Sequence, residues 1–111
     1  MARIEFDDFL KVEICTGTIT DAKPNPKARG PAYVLTIDFG EKGTRVSSAQ
    51  LTDNYTEEAL VGKQVVAVMN FNPKRIAGIK SEVLILGAVC PDSGVVLLEP
   101  TFRVSNGARI A

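Results

Sequence analysis

The 111-residue sequence contains no histidine and no tryptophan. Without histidine there can be no Ser–His–Asp triad, no H-E-x-x-H zinc site and no His-and-cysteine zinc deaminase centre. Its two cysteines, Cys15 and Cys90, cannot close a four-cysteine zinc site or a disulfide framework, and they make no C-x-x-C pair. Both read as small buried hydrophobes. An excess of one charge is missing too. Thirteen basic residues balance thirteen acidic ones, so any footprint for nucleic acid has to be local. Apolar runs are short: residues 65–69 fall far below the roughly 20 residues of a membrane helix, and no membrane insertion is expected. The acidic start, through Asp7 and Asp8, lacks an apolar h-region and does not read as a secretory leader. With so few cysteines, a reducing, cytoplasmic location is expected.

What is present is ordinary for a globular protein: 45% hydrophobic and 23% charged residues, which excludes disorder of the whole chain. One domain over residues 1–111 is expected. Strand signals dominate. Residues 12–20 are β-branched and roughly alternating, with Gly17 marking a bend. Residues 23–31 hold three prolines and a glycine and read as a loop. Residues 33–39 alternate cleanly, with Tyr33, Leu35, Ile37 and Phe39 on one face. Gly40 to Gly43 reads as a turn into a return strand over residues 44–50. Thr56 is a helix N-cap, Glu57 and Glu58 suit the first turn, and Gly62 ends the helix. Further strands are expected over 64–70, 81–89 and 94–98, the last two joined by a Pro91–Gly94 turn. Residues 6–10 suggest a short helix.

These elements predict an all-β fold: a five-stranded Greek-key barrel of the OB type, with one short interposed helix and short terminal extensions. A β-sandwich is the alternative, and the helix suits it less well. Residues 65–69, 83–86 and 95–98 are apolar on both faces of their strands, so something has to cover the outer side. A second copy, the terminal segments and apolar client chains are the three candidates.

Catalysis is not expected. Ser47 and Ser48 have no G-x-S-x-G context. Lys80 and Ser81 are adjacent on a strand and point to opposite faces. The acid pairs Asp7–Asp8 and Glu57–Glu58 suit helix starts. No cofactor and no metal site are expected. Binding is better supported. Between Asn70 and Ser81 lie Lys74, Arg75 and Lys80, beside Asn72 and Phe71. Lys and Arg can track phosphates, and Asn or Ser can bond base edges or ribose. Phe71 either stacks a base or joins the core. In an OB barrel this connection and the loop carrying Lys23, Lys27 and Arg29 converge on one rim.

The chain also resembles a known family. The marks are Asp8 to Ile14 with Gly17-Thr18-Ile19; Pro31-Ala32-Tyr33 with Leu35 to Gly40; Ser47 to Gln50; Leu60 to Val65; Ser81 to Gly87; Leu97 to Pro100; and Asn106-Gly107. Together they resemble the tRNA-binding OB-fold domain appended to some methionyl- and phenylalanyl-tRNA synthetases and found free-standing. The resemblance implies a homodimer that binds tRNA without catalysis. In the free-standing, secretion-related chaperone branch it implies preprotein or unfolded clients, with the protein-translocation machinery as a further partner. The family's contact pattern falls on Asn70, Pro73, Lys74, Gly78, Lys80 and Ser81, with Ser47 and Ser48 on the neighbouring strand. Arg75 is added from proximity and charge. Ala77 stands where the appended domains usually carry arginine, and Ser81 is followed by Glu82-Val83. Losing a cation and gaining an acid favours the chaperone branch.

Overall fold

The computed structural model describes residues 1–111. A one-turn helix α1 (Phe6–Leu10) leads into β1 (Ile14–Pro24), which forms an antiparallel meander with β2 (Tyr33–Asp38) and β3 (Thr44–Ala49). In β2 the alternation is realised in full. Tyr33, Leu35 and Ile37 are buried and Val34, Thr36 and Asp38 are only partly so. A second one-turn helix, α2 (Glu57–Leu60), is capped by Thr56, whose Oγ1 accepts from Ala59 N at 3.2 Å. Its Leu60 is fully buried, and Gly62 follows at φ +92°, the left-handed cap glycine accommodates.

The eleven-residue β1 serves two neighbours. Its first half pairs with β4 (Gln64–Val68) and its second half with β2, with a bulge between Ile19 and Asp21. Gly17 sits at the change of partner. A Cβ there would lie 2.6 Å from two ring atoms of Phe39 and 2.8 Å from Ile37 Cγ2. Glycine is thus required by close packing of the core.

The chain then builds β5 (Lys74–Ile76), β6 (Ile79–Ser81), β7 (Leu84–Ile85), β8 (Gly87–Cys90) and β9 (Gly94–Leu97). Strand β7 pairs with β4, giving a sheet in the order β3-β2-β1-β4-β7. The sheet curls until its ends meet. Glu82 N donates to Val46 O at 2.8 Å, Val46 N to Glu82 Oε1 at 3.1 Å, and Ser47 Oγ to Val83 O at 3.0 Å. The result is a nearly closed five-stranded barrel of the OB class, filled by Phe39, Ile19, Leu35, Ile37, Leu60 and Val65. No sandwich forms.

Three expectations change. The strand expected over 81–89 is three separate pieces, because the chain leaves one hairpin, touches β4 and then turns away with β9. Gly87 is needed there, since a Cβ would meet Val95 Cγ1 at 2.7 Å. The connection 70–81, expected as a loop joining two strands, contains the β5–β6 hairpin. Cys15 is buried as expected but Cys90 is half-exposed. Hydrogen bonds from the Ser93 side chain, and then from the Asp92 and Ser93 backbone, hold the Cys90 thiol below its ordinary range.

The two-faced β4 is covered within the single chain: all five of its residues are buried. Strand β7 lies along one side of it. The C-terminal segment runs beside β1, with Thr16 N donating to Ala108 O at 3.0 Å, Gly107 N to Thr16 O at 2.7 Å and Ile110 N to Ile14 O at 2.9 Å. Thr16 Oγ1 adds a bond to Ser105 O, and Gln64 Nε2 one to Val104 O. Farther along, Leu84, Val89, Val96 and Leu98 stay exposed.

Candidate nucleic-acid interface

The β5–β6 hairpin pairs Lys74 with Ser81, Arg75 with Lys80 and Ile76 with Ile79. Its two turn residues, Ala77 and Gly78, both have positive φ, +48° and +82°, as a type I′ turn requires. Ala77 is the one non-glycine residue of the chain with positive φ, and its Cβ makes that conformation costly.

Strand alternation divides the expected rim. Lys74, Ile76, Ile79 and Ser81 share one face of the hairpin; Arg75 and Lys80 share the other. Arg75 and Lys80 stand directly opposite each other, a like-charge pair that costs stability. Arg75 Nη1 reaches Gly78 O at 3.3 Å, which aligns the guanidinium without neutralising it. The ion pairs of the chain engage Lys11, Lys23, Lys42 and Lys63. Lys74, Arg75 and Lys80 are exposed and belong to none of them.

A second basic segment meets the hairpin at its turn. The Lys27 side chain passes 3.3 Å from where a Gly78 Cβ would stand. The β1–β2 loop is folded around Asn25, whose N donates to Ala32 O at 2.9 Å and whose Oδ1 accepts from Lys27 N at 3.1 Å. Between loop and hairpin lies a cleft of 530 Å³ lined by Lys27, Arg29, Ser48, Gln50 and Ile76. Lys23 is not part of it; its ammonium pairs with Asp21 at 3.5 Å.

The polar residues expected at the rim are placed unequally. Ser81 and Ser48 are there: Ser48 N donates to Ser81 Oγ at 3.2 Å, tying the hairpin base to β3. Ser47 is buried, and its hydroxyl is spent on Val83 O. Asn70 lies beside α1, with both ends of its amide engaged. Its Oδ1 accepts from Glu13 N at 2.8 Å and its Nδ2 donates to Lys11 O at 2.7 Å. Glu82, read from sequence as an acid that weakens phosphate binding, uses Oε1 to accept from Val46 N and helps close the barrel. Phe71 is 56% exposed and so is not core.

With this geometry in view, the comparisons with known proteins are informative. The family described as "Putative tRNA binding domain" matches residues 14–109. The methionine–tRNA ligase of Bacteroides fragilis is 37% identical over 109 residues, covering 98% of this chain and 16% of that enzyme. That of Methanococcoides burtonii is 35% identical over 107 residues, covering 96% and 16%. The chain thus spans about a sixth of the length of the ligases it matches. Among solved structures, the chaperone CsaA of Bacillus anthracis superposes with a TM-score of 0.94 at 51% identity, covering 99% of this chain and 100% of that one. The CsaA chaperone protein of Picrophilus torridus gives 0.92 at 44% identity, covering 98% and 100%.

Proposed function

The chain belongs to the tRNA-binding domain family, and from that premise we propose that it is a non-catalytic module that binds tRNA through the β5–β6 hairpin and the loop beside it. The observation that carries this reading is the Arg75–Lys80 pair. Two cations held opposite each other, with no carboxylate partner, raise the energy of the free hairpin and are relieved by an anion. Lys74 and Lys27 extend the positive field to either side, and Ser81 and Ser48 offer hydroxyls for phosphate or ribose. Ser47 and Asn70 support the site: the first fixes β3 against the closing segment, the second fixes the end of β4. The test is a titration of bulk tRNA binding between about 50 and 200 mM salt. Three to five phosphate contacts give a log–log slope of about −2 to −4. No binding at the low-salt end would remove RNA as the ligand.

A second reading concerns the apolar surface of Val89, Val96 and Leu98. We propose that a second copy of the chain covers it, so that the cytoplasmic particle is a homodimer presenting two basic rims to one folded RNA, with a gain in avidity. Sedimentation should then report twice 11.9 kDa, and Val96→Asp should return the monomer. A wild-type monomer would exclude the dimer and leave the surface to apolar segments of preproteins, a role that the likeness to the two CsaA chaperones supports. In that case, affinity for unfolded polypeptides should rise with their apolar content. A flat dependence would remove the chaperone reading, and with it an export role at the translocation machinery.

A further inference from the structure

On the Lys74 face of the hairpin lies a trough of 550 Å³, within the range of about 300–1,000 Å³ typical of small-ligand sites. Phe71, Pro73, Ile76 and Leu84 line it, together with Lys74 and Glu82. The three large apolar side chains are all substantially open to solvent: Phe71 at 56%, Ile76 at 40% and Leu84 at 50%. Such a surface has a solvation cost that a monomer does not need for folding, and it stands next to a cation without a carboxylate partner.

We propose that this trough takes one unpaired nucleotide of the RNA, its base stacked on Phe71 against Ile76 and Leu84 and its phosphate at Lys74. The proposal rests on the tRNA-binding reading and deepens it, by assigning single-stranded loop nucleotides rather than helical backbone to this face. The occupant follows from charge as well as shape. A nucleotide brings the flat face of its base and an anionic phosphate a few ångströms apart, which matches an aromatic side chain beside Lys74. An apolar peptide side chain would fill the trough but leave Lys74 unanswered. Arg75 and Lys80, on the opposite face of the same hairpin, are left for the neighbouring phosphates of the strand. Stacking accepts every base, so this face selects for unpaired structure and not for sequence. A base inside a duplex keeps its faces covered by its neighbours and cannot enter.

The test uses the absence of tryptophan from the chain. Phe71→Trp installs a single reporter while keeping an aromatic floor. A short single-stranded RNA should quench its fluorescence on binding, and the same sequence in a duplex should not. In parallel, Phe71→Ala should lower single-strand affinity about 5- to 150-fold with an unchanged salt slope, because no phosphate contact is lost. Lys74→Gln should instead lower the slope by about 0.7. If wild-type protein binds tRNA but Phe71→Ala binds the single strand as tightly as wild type, the trough is not used. The proposal is then overturned while the tRNA reading stands. If an uncharged apolar peptide quenches Phe71→Trp and RNA does not, the trough is a peptide site and the proposal is overturned in that direction. If wild-type protein fails to bind tRNA at low salt, both readings fall together.

Discussion

Replacing Lys74 and Lys80 together by glutamate is expected to lower tRNA affinity about 10- to 100-fold near 0.1 M salt and to reduce the salt slope by about 1.4–1.8. The two lysines lie on opposite faces of one hairpin, so the double variant removes a contact on each side. Lys80→Glu alone is the more revealing change. It places a carboxylate opposite Arg75, converting a repulsive cross-strand pair into an attractive one worth about 0.2–1 kcal/mol. The hairpin should therefore become more stable, with slower amide exchange in β5 and β6, while RNA binding becomes weaker. If Lys80→Glu weakened the hairpin and left tRNA affinity unchanged, Lys80 would be a structural residue and the interface would have to be sought elsewhere.

Phe39→Ala is expected to destabilise the fold by about 3–5 kcal/mol, a large part of the roughly 5–15 kcal/mol that holds a domain together. Phe39 is fully buried at the end of β2 and its ring lies against Gly17 of β1. Gly17→Ala is expected to cost about 1–3 kcal/mol, because the new methyl would stand 2.6 Å from the ring. The backbone at Gly17 does not itself call for glycine; it is absent from the positive-φ set. The two substitutions should then be coupled. With the ring gone, the methyl occupies part of the cavity, and the double variant should be more stable than the sum of the single losses predicts. Denaturant midpoints of the four proteins check this. Strict additivity would place the cost of Gly17→Ala outside the contact with Phe39.

The parts of the fold that were legible in the sequence are those written in local chemistry. Tyr33 to Phe39 alternates, and every expected inward side chain points inward. Thr56, Glu57, Glu58 and Gly62 announce a helix start and stop within seven residues, and the helix is there. The β5–β6 hairpin was hidden because its strands are three residues long and mix cations with isoleucine. Its turn is also Ala-Gly, where the usual signature carries asparagine or aspartate before glycine. Once the strands are known, alternation separates Lys74 from Arg75 and Lys80; without them the three cations read as one cluster. The bonds that engage Asn70 and Ser47 were hidden for a different reason. A side-chain amide that bonds backbone 57 and 59 residues away, and a hydroxyl turned onto Val83 O, leave no trace in nearby sequence. The cover over β4 was equally non-local. It comes in part from a segment whose bond to Gln64 spans 40 residues and whose bonds to Thr16 in β1 span up to 92.

That span has a consequence during synthesis. The meander of β1, β2 and β3 can pair as soon as it leaves the ribosome, but the Thr16 edge stays without its partner until Ala108 has been added. At about 5–20 residues per second the delay is about 5–20 s. For that interval the nascent chain presents unpaired backbone donors and acceptors, a template for other nascent strands to join. The segment that runs along Thr16 is therefore also an edge guard, and β1 is most open to other strands before residues 104–110 emerge.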